Sequence, residues 1–442
     1  MSYRVSKKIG KVYILFLIAG TVGFVWWLMP SPKETAGQSV PRKESAKVAA
    51  QDTAVSSPAG REDAQDTLPA AVINMFKGRS EKEIAGLTAK DLGDESLSLT
   101  IRRKLAWSLA KNARPEDMAA IYAYLTSSAT DLRVKAVIVE ALGYSADPRA
   151  RDWLISALDC GDNRIIRAAL RGLAEMNDPR NQQIFANLLS SLDVPPDVRE
   201  AAAVALGRLS TPESGQCLMR AWTGGDEAMR AIILQGLAQR DMSETADFFG
   251  RIMKDSSDPE LRHAVVESAA QAKGNTTPFL LGCLNDPDSS VRAEAAWGLS
   301  LQENGGCSGT LMKVLATEED DQAKGRIYEA LGAQPDMNAK AVLARAQTEQ
   351  DDSVRLAAYG AVIEHFEELS SADQETAGSE LSEDLKWLAV NGESLEVRLK
   401  AVTGLRKIPI KNKEKVLQAV VSESKDPRVI QATSIDLGNL LK

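Results

Sequence analysis

Residues 288–300 read DSSVRAEAAWGLS, and two further stretches repeat the pattern: residues 131–143 read DLRVKAVIVEALG and residues 426–438 read DPRVIQATSIDLG. Each begins with Asp, reaches an aliphatic residue three positions later, and ends in small and apolar residues. We call this aliphatic residue the anchor. Apolar residues four, five and eight positions after the anchor follow the helical period, so each stretch predicts an amphipathic helix with one buried stripe.

The pattern recurs along most of the chain at a nearly constant interval. Successive anchors are separated by 30 to 33 residues, except for one interval of 43 residues. The anchors are Ile101, Val134, Ile165, Val198, Met229, Leu261, Val291, Ala323, Val354, Val397 and Val429. A second apolar segment lies between successive anchors, such as WLISAL from Trp153. This arrangement is typical of stacked two-helix repeats, each of which buries its apolar face against the next.

Individual positions of the pattern have physical explanations. Asp at a helix N-cap accepts hydrogen bonds from free backbone N–H groups, and eight repeats have Asp three residues before the anchor. These are Asp131, Asp162, Asp226, Asp258, Asp288, Asp320, Asp351 and Asp426. A base usually follows the anchor, so stacked repeats are expected to form a ladder of Asp and Arg residues. The residue seven positions after the anchor is nearly always small, which lets neighbouring helices approach closely.

The phrase D-x-x-[VI]-R-x-x-A-x-x-A-L-G resembles HEAT repeats of the phycobilisome-lyase-like subclass, over roughly residues 95–442. The resemblance implies an all-α fold, an α-α superhelical solenoid of about eleven HEAT-like two-helix repeats. It implies less about function, because such repeats occur in scaffolds, adaptors and a few enzymes. Some HEAT-repeat hydroxylases bind iron through His-Glu dipeptides, but here His263 precedes Ala264 and His365 precedes Phe366.

The N-terminal segment is typical of a membrane anchor. Residues 12–29 are 18 residues without a charge, enough to cross a thin bilayer core at ~1.5 Å per residue. A cleaved signal peptide is the alternative, but its apolar region is normally only ~7–15 residues long. The bases that precede the segment are Arg4, Lys7, Lys8 and Lys11. They favour a cytoplasmic N-terminus and an extracytoplasmic body.

These features divide the chain into four parts. Residues 1–11 form a cytoplasmic basic segment, and residues 12–29 form a transmembrane signal anchor. Residues 30–68 are rich in Pro, Ser, Ala, Gln and charge and have few bulky apolar side chains, which predicts a disordered linker. The repeat solenoid is expected over residues 69–442.

The sequence contains no recognisable catalytic constellation, so we predict no catalytic, cofactor-binding or metal-binding residues. His263 is expected to be solvated on an exposed face. The repeat register keeps the four cysteines too far apart for disulfides, so four unpaired thiols are expected. Cys217 and Cys283 are interpreted as small core residues, whereas Cys160 and Cys307 receive no such role. The net charge of −8 argues against nucleic-acid binding.

Two groups of residues are candidates for binding a partner. The first group lies six residues after the anchors, where we expect the inner face of the superhelix: Trp107, Arg171, Gln235, Glu267, Trp297 and Glu329. Exposed Trp and Arg often dominate protein interfaces, although both tryptophans could instead cover gaps between repeats. The second group lies in the 43-residue interval, where residues 364–384 contain eight acids and no base. This segment is interpreted as a solvated acidic loop, with Glu367, Glu368, Asp373 and Glu375 as candidates for contacting a basic partner or a loosely bound divalent cation.

The sequence therefore predicts a membrane-tethered scaffold or adaptor that binds one or more protein partners on the extracytoplasmic side. Two alternatives remain at this stage. The chain could be an enzyme, or a subunit of one, related to lyase-like HEAT-repeat proteins. It could also be a structural spacer in an envelope complex.

Overall fold

Helix follows helix throughout the part of the chain that the structure describes. This computed structural model describes residues 84, 87–112, 114–127, 131–302 and 306–440. These residues form 21 α-helices and no β-strand, which confirms the all-α prediction. None of these helices is long and apolar enough to cross a membrane. The predicted anchor at residues 12–29 and the predicted linker at residues 30–68 lie outside the described residues.

The helices alternate between two kinds. Eleven anchor helices contain the predicted anchors: α1 (Leu99–Asn112), α3 (Leu132–Ala141), α5 (Asn163–Glu175), α7 (Pro196–Arg208), α9 (Glu227–Leu237), α11 (Pro259–Gln271), α13 (Ser289–Ser300), α15 (Asp321–Ala333), α17 (Asp352–Glu364), α19 (Leu395–Lys407) and α21 (Pro427–Leu440). Ten partner helices alternate with them: α2 (Pro115–Thr126), α4 (Ala150–Ala157), α6 (Gln182–Ser190), α8 (Pro212–Trp222), α10 (Met242–Asp255), α12 (Thr277–Cys283), α14 (Ser308–Leu315), α16 (Ala339–Ala346), α18 (Ser371–Asn391) and α20 (Lys413–Glu423). The solenoid of about eleven two-helix repeats is therefore confirmed.

The anchor helices begin where the sequence predicts. All eight capping aspartates accept a hydrogen bond from a backbone N–H two or three residues further along the chain. In two of the remaining repeats a serine replaces Asp: Ser98 accepts from the Ile101 N–H, and Ser394 accepts from the Val397 N–H. Each cap satisfies a backbone donor that the helix itself leaves unpaired.

The anchor helices pack directly against one another through small residues. The residue nine positions after one anchor meets the residue seven positions after the next. At two of these contacts both residues are glycine, namely Gly143 against Gly172 and Gly207 against Gly236. A Cβ on Gly207 would overlap the carbonyl oxygen of Gly236, and a Cβ on Gly236 would lie 2.6 Å from the carbonyl oxygen of Ala203. Adjacent backbones therefore touch, which explains the small residue predicted at position seven.

The partner helices meet through large side chains instead. The rings of Tyr122 in α2 and Trp153 in α4 stack with their centroids 4.4 Å apart. Trp222 in α8 meets Phe248 in α10 edge-on, with their centroids 5.7 Å apart. Aromatic rings fill wider gaps than glycine and alanine can, so the two kinds of helix form layers with different spacing.

The base that follows the anchor binds an acid of the next repeat, as the ladder prediction requires. Arg102 lies 3.4 Å from Asp131, and Arg398 lies 3.2 Å from Asp426. Both of these aspartates cap the next anchor helix. The predicted pairing of Arg with a capping Asp is therefore confirmed at these two steps of the solenoid.

In the middle of the solenoid the acceptor is a different acid. Arg262 donates two hydrogen bonds of 2.8 Å to Asp286, and Arg292 donates two of 2.7 Å to Glu318. Asp286 and Glu318 each lie two residues before a capping Asp, and their side chains are almost fully buried. Two parallel N–H···O bonds to one carboxylate form the strongest geometry available to arginine.

The acidic segment near the C-terminal end forms a helix, which corrects the prediction of a solvated loop. The extra residues of the 43-residue interval lengthen partner helix α18 to 21 residues, and a short 3-10 turn, Phe366–Glu368, precedes it. Ser370 caps α18 by accepting a hydrogen bond from the Asp373 N–H. The segment is helical because its apolar residues share one buried face: Ala377, Leu381, Leu385 and Leu388.

The contact between Gly207 and Gly236 predicts a specific sensitivity to one added methyl group. Gly207→Ala should lower the free energy of unfolding by ~1–3 kcal/mol, because the new Cβ forces the two backbones apart. Chemical denaturation followed by circular dichroism measures this change.

Gly250→Ala provides the matched control. Gly250 lies inside α10 with nothing within 4 Å of its added Cβ, so alanine should stabilise the helix by ~0.5–1 kcal/mol. Equal effects of the two substitutions, in either direction, would contradict the close approach of α7 and α9.

The ladder should make the fold sensitive to acid. Burial alone would raise the pKa of the Glu318 carboxyl, but hydrogen bonds from Arg292 and from the Asp320 N–H hold that pKa below its usual value. A carboxyl whose folded-state pKa is lowered contributes stability above its unfolded pKa of ~4.3, and this contribution is lost as the pH falls through the folded value. Glu318→Gln should therefore lower the melting temperature at pH 7. Below pH ~4.3 the melting temperature of this variant should decrease less with falling pH than that of the wild type.

Glu319→Gln is the control for this experiment, because Glu319 is the exposed neighbour of Glu318. Its melting temperature should follow the wild-type curve at every pH. The ladder would lose its proposed role in acid sensitivity if both variants showed the same pH profile.

Candidate functional site

The residues six positions after the anchors differ in exposure. Gln235, Glu267 and Glu329 are exposed, whereas Trp107, Arg171 and Trp297 are half-buried. Both tryptophans pack against buried core residues, so each covers part of the junction between repeats and keeps part of its ring accessible. Their role as a binding face stays a prediction.

Trp107 belongs to an aromatic pair that joins the first two repeats. Its ring meets the ring of Tyr144 edge-on, with their centroids 5.0 Å apart. Tyr144 follows α3 in the short 3-10 turn Leu142–Tyr144 and is 38% exposed. Burial and the carboxylate of Glu175 raise the pKa of the Tyr144 hydroxyl, so it stays protonated as a hydrogen-bond donor.

Charged pairs continue this surface into the third and fourth repeats. Arg171 of α5 donates a hydrogen bond of 3.1 Å from its Nε to Glu140 of α3. Arg208 of α7 donates to Glu175 of α5. Burial raises the pKa of the Glu140 carboxyl above its usual value, although the Arg171 guanidinium opposes this shift. Because each pair joins two adjacent anchor helices, these side chains cross the junctions between repeats.

We call this continuous surface the aromatic–arginine strip. It extends from α1 to α7 along the exposed side of the anchor helices. Its members are Trp107, Glu140, Tyr144, Arg171, Glu175 and Arg208. The strip therefore brings together two of the six residues that the sequence predicts, Trp107 and Arg171.

A groove of about 220 Å³ adjoins the strip between α5 and α7. Ala174, Ala201, Val204 and Ala205 supply apolar lining, and the charged lining residues are Arg167, Arg171, Asp197, Glu200 and Arg208. The Nη2 group of Arg171 is buried and has no hydrogen-bond partner. The groove thus combines an apolar floor with charged walls whose arginines are already paired with acids: Arg167 with Asp197, Arg171 with Glu140 and Arg208 with Glu175.

The remaining predicted residues lie further along the solenoid. Glu329 forms an ion pair of 2.7 Å with Arg326 on its own helix. Ser300 donates a hydrogen bond to the carbonyl oxygen of Trp297, so this contact involves the backbone and leaves the indole ring uninvolved. His263 is half-buried, and its Nε2 lies 3.5 Å from Glu294 in the next repeat. The predicted exposure of His263 is therefore confirmed in part, because its side chain stays 39% exposed beside Glu294.

Most acids of residues 364–384, the segment predicted to be a loop, form contacts with other residues of the protein. Asp373 lies 2.9 Å from Lys340, and Glu368 lies 3.0 Å from His365. Glu367 and Glu375 are exposed. The described residues contain no group of three or more His, Cys, Asp or Glu side chains placed to hold a metal ion. The acids of α18 therefore mainly join it to neighbouring helices.

The four cysteines and His365 differ in their burial and contacts. All four cysteines are free thiols in the structure. Cys283 and Cys307 are buried, and Cys217 is half-buried and packs against the core, so Cys307 joins the two cysteines for which a core role is predicted. Burial raises the pKa of the Cys283 thiol to about 12. His365 is buried, and its Nε2 lies 2.9 Å from the carbonyl oxygen of Gly332.

Sequence reasoning missed several members of the site. Tyr144, Glu175 and Arg208 each lie ten positions after an anchor, which is one helical turn beyond position six. The helical period places positions six and ten on the same face, so a search at both positions would have found them. The pairing of Glu140 with Arg171 could not be read from either sequence position alone.

The comparisons with known proteins agree on the repeat type. The family model for HEAT repeats matches residues 119–191, 152–226 and 220–300, so this part of the chain consists of HEAT repeats. No curated protein matches the chain. The matched model is general to HEAT repeats, so the phycobilisome-lyase-like subclass stays a prediction.

Several solved structures are similar to this chain. An engineered protein is 18% identical with a TM-score of 0.32, and the match covers 80% of this chain and 99% of that protein. Human deoxyhypusine hydroxylase, solved in complex with glycerol, is 19% identical with a TM-score of 0.28, covering 58% and 97%. Yeast importin-beta is 15% identical with a TM-score of 0.44, covering 86% and 56%. At these identities and TM-scores, none of the three indicates a function for this chain.

Proposed function

We propose that this chain is a membrane-tethered scaffold that binds a partner protein on the extracytoplasmic side of the membrane. The observation that carries the proposal is the continuous aromatic–arginine strip, which extends over four repeats. Stacked helices lie ~8–10 Å apart, so the strip from α1 to α7 is roughly 30 Å long. A small substrate does not span this distance, whereas a segment of a protein does.

The architecture supports a scaffold in a second way. In a solenoid each repeat contacts only its neighbours, so side chains at equivalent positions form an extended surface. Most of this surface lies on the anchor helices, and side chains held on regular secondary structure lose less conformational entropy on binding. HEAT repeats are matched over residues 119–300, and the strip overlaps this region from Glu140 to Arg208.

The membrane part of the proposal rests on the N-terminal sequence. Residues 12–29 have no charge and follow a basic segment, a pattern that favours a signal anchor with the body outside the cytoplasm. The Pro- and Ser-containing residues 30–68 would then separate the solenoid from the bilayer.

The proposed orientation predicts the outcome of a protease-protection experiment. Protease added to intact spheroplasts should digest the solenoid, while an epitope tag placed before residue 12 stays protected. Digestion of the tag requires permeabilising the membrane with detergent. A solenoid that survives until detergent is added would contradict both the orientation and the compartment.

The scaffold role predicts how substitutions on the anchor-helix face affect a captured partner. Partners are first cross-linked to the full-length protein in its own membrane and identified. Trp107→Ala, which lies within the strip, should then weaken capture by ~2 kcal/mol or more, as expected for a half-buried aromatic anchor. Capture is measured with the purified partner, and folding is checked by thermal melting.

Two controls separate binding from folding. Leu299 is fully buried, so Leu299→Ala should cost ~2–5 kcal/mol of stability. Trp387 lies on partner helix α18 and is 49% exposed, so Trp387→Ala should leave capture unchanged. If Trp107→Ala melts the protein as badly as Leu299→Ala does, or if only Trp387→Ala abolishes capture, the anchor-helix face is not the binding surface.

A further inference from the structure

We propose that the turn between α8 and α9 binds a carboxylate supplied from outside the chain, at a step of the ladder where the protein has no acid of its own. One rung of the ladder is a base together with the acid that it binds. We call this site the open rung, and its residues are Arg199, Trp222, Gly224 and Arg230. The inference goes beyond the proposed scaffold function and does not depend on the aromatic–arginine strip.

The closed rungs define the arrangement. In three consecutive repeats the base after the anchor lies within 3.9 Å of an acid that stands five residues before the next anchor. The pairs are Arg262 with Asp286, Arg292 with Glu318, and Lys324 with Glu349.

The residue five positions before an anchor also contacts the base of its own repeat. Arg292 donates a hydrogen bond of 2.9 Å to the backbone carbonyl oxygen of Asp286. Arg262 and Arg398 donate to the carbonyl oxygen at the same position of their own repeats. This residue therefore lies between the bases of two consecutive repeats.

Gly224 occupies this position between Arg199 and Arg230 and has no side chain to bind either of them. Neither arginine forms a hydrogen bond or an ion pair with another residue that the structure describes, and the Nε of each is buried without a partner. The capping residue Asp226 is the other acid in register, as Asp131 is for Arg102. Its carboxylate accepts a hydrogen bond of 2.8 Å from the Met229 N–H and forms no ion pair.

The turn has room for a ligand in place of the missing acid. A Cβ added to Gly224 would have nothing within 4 Å, and the residue is exposed. Gly392 also lies five residues before an anchor, but a Cβ there would lie 2.6 Å from the Val397 side chain. The base of the preceding repeat, Arg355, is already paired with Asp352. Position 224 therefore leaves an opening, whereas position 392 is filled.

Trp222 keeps the second guanidinium beside this opening. The guanidinium carbon of Arg230 lies 5.6 Å from the centroid of the Trp222 ring. Trp222 ends α8 two residues before Gly224, so Arg230 adjoins the same turn. A guanidinium that stacks on an aromatic face keeps its N–H donors in the plane available, because the ring contacts only its face.

The ligand class follows from what the closed rungs bind. Arg262 and Arg292 each donate two hydrogen bonds to one carboxylate, the geometry that a planar guanidinium fork matches best. Exposed acids also surround the open rung, namely Glu200, Asp226 and Glu227. Their repulsion grows with the charge of the ligand, so they favour a singly charged carboxylate over a doubly charged phosphate.

The first test measures how fast phenylglyoxal, an arginine-specific reagent, modifies each arginine of the full-length protein, with the sites located by peptide mass spectrometry. Acetate at twice its dissociation constant should slow modification of Arg199 and Arg230 about threefold relative to chloride at equal ionic strength, because bound carboxylate occupies their donors.

Arg251 is the matched control for this experiment. It is exposed, and its guanidinium carbon lies 5.9 Å from the centroid of the Phe248 ring, as Arg230 lies over Trp222, but it belongs to partner helix α10. Acetate should leave its modification rate unchanged. Equal slowing of Arg251, or no slowing of Arg199, overturns the inference.

Further ligands identify the class and the source of the carboxylate. A blocked Ala-Glu-Ala peptide should protect the same two arginines, and the corresponding Ala-Gln-Ala peptide should not. Protection by the Glu peptide at a lower concentration than acetate identifies a protein side chain as the source, whereas protection at equal concentrations identifies a free small acid. Stronger protection by inorganic phosphate than by acetate contradicts the assignment to a carboxylate.

A substitution can supply the missing acid within the chain. Gly224 has no positive φ, so Gly224→Asp and its uncharged control Gly224→Asn both fit the backbone. The Asp variant should melt about 2 °C or more above the Asn variant, because it closes the rung with Arg199. The difference should vanish when Arg199→Gln is added to both. Equal melting temperatures with Arg199 intact contradict the inference.

Asp226→Asn tests whether the cap already fills the rung. Asn caps a helix about as well as Asp, so α9 should remain intact. Without added carboxylate, phenylglyoxal should modify Arg199 at the same rate in this variant as in the wild type. A faster reaction would show that Asp226 binds Arg199 in solution, and the rung would then be closed.

Discussion

The close approach of consecutive anchor helices is the constraint on which this structure depends. Where Gly207 meets Gly236, neither position has room for a side chain, and the two backbones touch. Dispersion and burial along such a contact act over many atoms at short range, so they fix the register of one repeat on the next. At the junction between α19 and α21 an ion pair replaces the small residues. Arg406 lies nine residues after its anchor, Asp436 lies seven residues after the next anchor, and their side chains are 3.5 Å apart.

The same approach creates the candidate binding surface. When two helices touch along one side, the side chains that flank the contact come within pairing distance across the junction. Arg171 therefore reaches Glu140, and Trp107 reaches Tyr144, although each pair is more than 30 residues apart in sequence. The partner helices meet through rings such as Tyr122 and Trp153 and through polar pairs such as Lys340 with Asp373. A partner that binds along the anchor helices meets side chains whose positions are already fixed.

Electrostatic interactions serve two purposes in this protein. Buried pairs such as Arg292 with Glu318 join consecutive repeats and tolerate burial because two short hydrogen bonds satisfy the carboxylate. The acids of α18 act similarly at the surface, where Lys340 holds Asp373. The strip differs from both, since Arg171 is bound at Nε and its buried Nη2 remains unpaired.

The sequence by itself determined the fold class, the repeat number and the helix starts, because these depend on local chemistry that recurs every 30 to 33 residues. An Asp cap, an apolar stripe and a small residue at position seven act within one or two helices, so they can be read from one stretch of chain. The pairing of side chains across repeats depends on helix rotation and spacing, which no single repeat specifies. Sequence reasoning accordingly found Trp107 and Arg171 but missed Tyr144 and Arg208. It also interpreted the start of α18 as a loop, because residues 364–384 contain eight acids and no base, and only packing against neighbouring helices shows that the apolar residues of α18 share one face. Tertiary structure alone decided which charges are neutralised and which remain able to bind, since that depends on neighbours from other repeats.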